Sequence, residues 1–385
     1  MRLLIAAHYN LNNGDRAVLA STVKLIKEID PDSEITVSAV EPSSMLSNGD
    51  FTTVGWPFDN KFASAVWLNI NRLGFPEQLK KKISKLICNK KYLRELDKTD
   101  LVLISGGHHL TDILGLKSYY HLSSNFLLPI YMNKKVHILS QSIGPAANAN
   151  VASDIKRILE SAATVAYRDF SSEEFIKALN GKINAIEIPD LVFCLKPNQV
   201  VRDKDLVGVA LYHSYSPERR SILDLTIPNL QKTIQYLLDQ GKKVKIIPMD
   251  QGDNDYYEKI RAGLKDTAEI SRFSMGKNTS QVQDTIDQFA EAGYVIAYKT
   301  HASVFSMISG TPLIGVAYHP KTIEFMQSMD LLDYAINDKE ATFEALTAII
   351  GKIEENYDDI VNKERIGVEK NENKIKEYLK HIIKT

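Results

Sequence analysis

Short, nearly continuous apolar runs alternate with longer stretches of helical period along most of the chain. The runs at 3–7, 34–40, 100–104, 136–139, 164–167 and 186–190 are too brief for helices and predict strands, buried on both faces where the run is continuous. Between them, 16–29 and 154–162 space their apolar residues three and four apart, as amphipathic helices do. The stretch 79–94 follows the same rule, with Leu79, Ile83, Leu86 and Ile87 on one predicted face and lysines around them. A polar interval containing Pro197 breaks the alternation over 196–205, and the pattern then resumes. Strands are predicted at 206–211, 243–248, 294–298 and 313–318, and helices at 222–239, 256–264, 280–292, 340–353 and 363–383. Alternation on both sides of a linker predicts an α/β protein of two doubly wound, Rossmann-like domains facing a cleft, 1–196 and 205–360. The last helix, within 361–385, is expected to fold back on the first domain. The mixed aromatic stretch 54–73 has no readable period.

Folds of this kind bind ligands where the strands end, and the strand ends carry the candidate chemistry. The most informative is 293–321, GYVIAYKTHASVFSMISGTPLIGVAYHPK. A strand stops at Lys299, Thr300 and His301; a helix follows with Ala302, Phe305, Met307 and Ile308 on its covered face, and Gly310 with Pro312 ends it. A cation, an imidazole and a helix N-terminus at one corner make an anion site, because unpaired amides and the helix dipole both favour negative charge. Asn13, Gly14 and Asp15 form a turn in which Asp15 can cap the following helix; it reads either as a plain capped turn or as a ligand edge of the first domain. Gly106 and Gly107, and further on Gly144, let a ligand approach the backbone. His108 and His109 are adjacent and point apart, and nothing at ligand spacing completes a site, so no metal is expected. Arg168 ends a strand either as an oxyanion clamp or as the partner of Asp169 or the nearby helix. Asp190 closes the last strand of the first half.

Composition narrows the class. With 44% hydrophobic and 25% charged residues the chain is an ordinary globular one, and its formal net charge of -1 argues against a nucleic-acid binder held by bulk charge. Cys88 and Cys194 are too few for a disulfide framework. There is no signal-peptide pattern and no apolar run of bilayer length, so a cytoplasmic protein is expected. The lysine-rich helix over 79–94 reads as a solvated face or, alternatively, as a surface helix resting on anionic lipid headgroups at the inner face of a membrane or on a polyanionic substrate.

Taken in order, NNGDRAVL, SGGHHLTD, SQSIGP, AYRDFSS, IPDLVF and the 293–321 element resemble the polysaccharide pyruvyl transferase family over residues 3–321. That family is similar to glycosyltransferases of the two-Rossmann-domain type, so the resemblance implies a glycosyltransferase-B-like fold. It implies an enzyme that moves a pyruvyl group from phosphoenolpyruvate to two hydroxyls of one sugar, forming a cyclic ketal and releasing phosphate. Acceptors implied are sugars of cell-surface polysaccharides or their lipid-linked precursors; phosphoenolpyruvate is a substrate, and no cofactor is implied. The family's final motif pairs arginine and histidine across a spacer, where this chain has Lys299, Thr300 and His301. Lysine keeps the charge and loses the bidentate fork. Carried over, His301 becomes the general acid/base or phosphate partner, Arg168 and Lys299 the clamps, and Thr300 the start of the amide-bearing helix. Lys321 closes over the donor, and Asp15 and Asp190 serve the acceptor hydroxyl. Two other readings remain open at this point: a nucleotide-sugar-dependent glycosyltransferase, and a non-catalytic member that binds a glycan or anion.

Overall fold

A computed structural model describes residues 1–8, 12–45, 49–212, 217–265, 268–273 and 281–384. Ser280, the first residue of the helix expected over 280–292, lies outside the described residues. Contacts divide the chain into two units: Met1–Asn10, Val18–Leu191 and Asn373–Thr385 form the first, and Leu11–Ala17 with Val192–Glu372 the second.

The first unit holds a seven-stranded sheet: β1 (Arg2–His8), β2 (Glu34–Ala39), β3 (Thr52–Gly55), β4 (Leu101–Ser105), β5 (Lys135–Gln141), β6 (Thr164–Tyr167) and β7 (Ala185–Glu187). The order is β3-β2-β1-β4-β5-β6-β7 and every pairing is parallel. Its helices are α1 (Asn13–Ile29), α2 (Lys61–Arg72), α3 (Glu77–Ile87), α4 (Lys90–Lys98), α5 (Leu116–Tyr131), α6 (Ala149–Ser161) and α7 (Phe170–Ala178), the first turn of α1 excepted. Parallel strands need crossovers, and helices on the faces explain why β4 is buried along nearly its whole length. The unreadable stretch 54–73 is the end of an edge strand, β3, followed by α2, whose period is hidden because Phe62 is exposed and Asn71 is buried. Trp67 stacks on Phe58 at 4.7 Å and donates its indole N–H to the Tyr120 carbonyl at 2.6 Å, which seats α2 on α5.

The single helix expected over 79–94 is two helices. The chain breaks at Cys88, and the Asn89 side chain restarts it by accepting from the Lys91 and Tyr92 amides. The predicted face is also wrong in part: Lys80 and Ser84 are buried, while Leu79 and Leu86 point outward.

The second unit holds β8 (Asp203–Ala210), β9 (Lys243–Ile246), β10 (Ile270–Arg272), β11 (Ala292–Ala297), β12 (Leu313–Ala317) and β13 (Ala335–Asn337), all parallel, in the order β10-β9-β8-β11-β12-β13. Around them run α8 (Pro217–Asp239), α9 (Asp255–Ala262), α10 (Gln281–Glu291), α11 (Thr300–Ile308), α12 (Pro320–Ser328), α13 (Phe343–Glu355) and α14 (Tyr357–Lys384). From Asn373 onward, α14 belongs to the first unit. Short strands β10 and β13 and helix α12 had no readable signal. Helix α11 is covered on all sides, not on one: every residue from Ala302 to Ile308 is buried. Its polar members are satisfied locally, with Ser306 donating to the Thr311 carbonyl at 2.6 Å. Arg202 caps the far end, donating to the carbonyls of Ser309 and Gly310 at 2.6 Å each, where the negative end of the helix dipole favours a cation.

Glu364 in α14 is wholly buried, and neither carboxylate oxygen has a hydrogen-bond partner among the described residues. Burial pushes its pKa well above the glutamate range, with the charge of Arg202 opposing. A raised folded-state pKa means that the stability contribution is full below the unfolded value of about 4.3 and is lost as pH rises through the folded one. Replacing Glu364→Leu should therefore raise Tm more at pH 8 than at pH 5, as read by thermal melts; equal shifts at both would contradict a buried titrating group.

Candidate functional site

In the second sheet the strand order reverses between β8 and β11, and the ligand-binding crevice of a doubly wound sheet lies at the carboxyl ends of such a pair. Strand β11 ends at Ala297, and Lys299 stands at the N-cap of α11 without a side-chain capping bond, so the first-turn amides of that helix are left for other partners. His301 is the second residue of α11.

The first turn of α1 meets that corner. Asn13 is fully buried; its amide donates to the Met249 carbonyl at 2.9 Å, and its side-chain Nδ2 donates to Thr285 Oγ1 at 2.8 Å. Its Oδ1 has no hydrogen-bond partner among the described residues. Gly14 then lies directly on the His301 ring: a Cβ there would fall 2.4 Å from Nδ1. Only glycine lets the imidazole sit against the backbone. The sequence reading put Asn13, Gly14 and Asp15 on the edge of the first domain; these bonds place the turn in the second unit. The capping role expected of Asp15 falls to Asn12, whose Oδ1 accepts from the Asp15 amide at 2.8 Å while its Nδ2 donates to Asp15 Oδ2 at 2.7 Å.

Two residues that the sequence reading passed over belong to the corner. Arg16 is buried, and burial lowers its pKa while the charge of Asp250 opposes that shift. Asp253 lies beneath Lys299, which donates to Oδ1 at 3.1 Å and Oδ2 at 2.8 Å. Asp253 also accepts from the amides of Met249 and Asp250, and burial raises its pKa against the opposing Lys299 charge. An acidic loop read only as MDQGDND gives no sign that one carboxylate turns inward. Thr300 Oγ1 is 2.9 Å from Thr322 Oγ1, and Lys321 lies in the first turn of α12, its amide donating to the capping ring of His319 at 3.3 Å.

A second polar cluster occupies the carboxyl edge of the first sheet, beside its own switch between β1 and β4. Arg168 donates through Nη1 to Asp190 at 2.5 Å and through Nε to Ser142 Oγ at 3.0 Å. Asp169, one of the partners expected for Arg168, instead caps α7 by accepting from the Ser172 amide at 2.9 Å. Gly106 needs to be glycine: its φ is +61°, and a Cβ would lie 2.5 Å from Val18 Cγ1. Gly107 lies against His109, a buried ring that burial, and secondarily the Arg168 charge, holds down to about 4. His108 turns away to the Gly144 carbonyl at 2.6 Å, so the two adjacent histidines do diverge.

Two parallel, doubly wound sheets with polar strand ends define a Rossmann-type α/β protein of the glycosyltransferase-B-like kind. The fold is shared with a putative UDP-N-acetylglucosamine 2-epimerase from Listeria monocytogenes, at 10% identity and a TM-score of 0.58 over 94% of this chain and 90% of that one. It is shared equally with the UDP-GlcNAc 2-epimerase from Methanocaldococcus jannaschii (10%, 0.58, 91% and 92%). A variant of Os79 from O. sativa in complex with UDP matches over the whole of both chains at 9% identity and a TM-score of 0.59. Among curated proteins, none matches the sequence significantly. The sequence matches the polysaccharide pyruvyl transferase family over residues 12–320, and the chain belongs to that family.

Lys299 and Asp253 set up a direct test of the corner. Lys299→Met leaves a buried carboxylate without its cation and should cost about 3–5 kcal/mol in denaturant unfolding, the range for breaking one side of a buried pair. Lys299→Met with Asp253→Asn, which removes the buried charge and keeps an oxygen to accept from the Met249 and Asp250 amides, should recover most of the loss. If the single variant is as stable as the parent, the pair is not holding the corner.

Proposed function

We propose that this chain transfers the pyruvyl group of phosphoenolpyruvate to two hydroxyls of one sugar, forming a cyclic ketal and releasing phosphate. The observation that carries the reading is the meeting of two helix N-termini: Gly14 in the first turn of α1 against His301 in the first turn of α11, with Arg16 and Lys299 as the adjoining cations. The donor is a small dianion or trianion with a phosphate and a carboxylate, and paired helix N-termini with two cations suit it.

The reaction balances as follows. One acceptor hydroxyl adds to C2 of the enol and gives up its proton, and the terminal methylene takes up one proton to become methyl, so the addition is neutral in protons. The second hydroxyl then bonds to C2 as the C–O bond to phosphate breaks, and its proton leaves with the phosphate. His301 is assigned the proton transfer or the contact to the leaving phosphate, and Thr300 marks the amides that face it. Lys299 and Lys321 supply charge; Arg168, in the first unit, is assigned as an anion clamp within its own cluster, its guanidinium oriented by Asp190 and Ser142. Asp15 and Asp190 are assigned to orienting acceptor hydroxyls. The acceptor is a sugar of a surface polysaccharide or its lipid-linked precursor, and a lipid-linked acceptor implies work at a membrane surface. No helix among the described residues is long and apolar enough to cross one. No cofactor or metal enters the scheme.

Phosphate release from phosphoenolpyruvate with a panel of free and lipid-linked sugars tests the proposal. Release should continue in EDTA. His301→Ala should lower kcat by about 10²-fold or more, the usual worth of a positioned proton-transfer group. Gly14→Ala should do comparable damage with the fold intact, because its methyl displaces the His301 ring. Stabilisation by UDP-sugars and not by phosphoenolpyruvate in a thermal-shift panel would replace this reading with a nucleotide-sugar transferase.

A further inference from the structure

Helix α3 sorts its side chains incompletely for a helix at a protein surface. Its inward side carries Ile83 and Ile87, packed on the core, together with buried Lys80 and Ser84, and burial lowers the Lys80 pKa while the charge of Asp154 opposes that shift. Its outward side carries Leu79 and Leu86, two helical turns apart on one stripe, and Leu86 is 84% exposed. The preceding helix and turn also leave apolar side chains exposed. Phe62 in α2 is 73% exposed and Leu73 in the α2–α3 turn 70%, with Phe75 beside it. A leucine or phenylalanine left in water forgoes about 1.5–3 kcal/mol of burial, so several outward at once on one helical hairpin mark a surface made to be covered.

The charge around these residues says what covers it. From Lys61 to Ile87 there are six lysines and arginines and one acidic residue, Glu77, in a chain whose net charge is -1. Glu77 is already paired with Arg157. Lys82 and Lys85 have no ion-pair partner among the described residues. A soluble protein partner of ordinary polarity has no use for so many uncompensated cations. A nucleic acid has no use for aliphatic Leu79 and Leu86. An anionic bilayer takes both at once: the apolar side chains enter the boundary of the acyl region and the long lysine stems carry their charges up to the headgroups.

We propose that the outer face of the α2–α3 hairpin is a contact surface for an anionic lipid bilayer. Its orientation in the first unit is defined. Strand β3 runs parallel to the others, so α2, capped by Asn60, starts at the carboxyl edge of the sheet. The end of α3 returns to that edge, where the Asn89 amide donates to the Pro57 carbonyl at 2.8 Å. Phe62 and Leu86 therefore lie toward the edge that carries Gly106 and Arg168, and a bilayer on this face meets the protein beside that polar cluster. The inference stands on the hairpin alone and not on the pyruvyl reading, so membrane binding and turnover succeed or fail separately.

The test is sedimentation of the full chain with vesicles of phosphatidylcholine alone and of phosphatidylcholine with phosphatidylglycerol. Binding should appear only with phosphatidylglycerol and should weaken with salt. The triple variant Phe62→Ser, Leu79→Ser, Leu86→Ser should reduce binding at least tenfold, and so should Lys82→Glu, Lys85→Glu. All five side chains are exposed, so unchanged thermal melts will show that the variants fold. Equal binding to both vesicle types, no binding to either, or an effect of the lysines without any effect of the apolar residues would overturn the proposal. So would tighter binding to heparin or RNA than to the anionic vesicles.

Discussion

The backbone of Gly14 against the imidazole of His301 is the contact on which the rest of the site depends. It brings the first turns of two helices together, and each helix start contributes the positive end of a dipole. Holding them there takes Asn13, buried and bonded to Met249 and Thr285, and it takes the absence of a side chain at position 14. The strand that leads into this turn, β1, belongs to the first unit while the turn itself belongs to the second. Loop and helix start are thus decided by bonds made far away in sequence.

Charge in the corner is balanced, not bare. Lys299 is committed to Asp253, and Arg16 feels Asp250, so the cations nearest His301 each have a carboxylate close by. A lysine tied to a buried carboxylate behaves as a fixed point charge, which differs from the planar fork an arginine would offer at the same place. Lys299 at the start of α11 makes no side-chain capping bond, and the positive end of that helix dipole favours an anion there. In the first unit Arg168 is likewise held, by Asp190 and Ser142, in one orientation.

The α2–α3 hairpin follows the opposite logic. Burial of Lys80 near Asp154 and exposure of Leu86 depart from the usual sorting of side chains, and the proposed bilayer contact rests on that departure. A helix that reads as an ordinary amphipathic surface element in one dimension becomes a different object once its inward side is known.

What the sequence determined by itself was everything governed by local pattern. Runs such as Leu101–Ser105 and Leu313–Ala317 are strands because continuous β-branched and leucine-rich residues fit only a covered parallel sheet, and the alternation with helices implies a doubly wound fold in each half. The corner at Lys299, Thr300 and His301 was legible for the same reason, as a strand end followed by a helix start. Only the tertiary structure decided which polar groups meet. That Asp253 turns inward under Lys299, that Asp190 and not Asp169 takes Arg168, and that Gly14 supports His301 are contacts across 46, 22 and 287 residues. No local period encodes them, because they arise from how strand ends gather at one edge of a sheet.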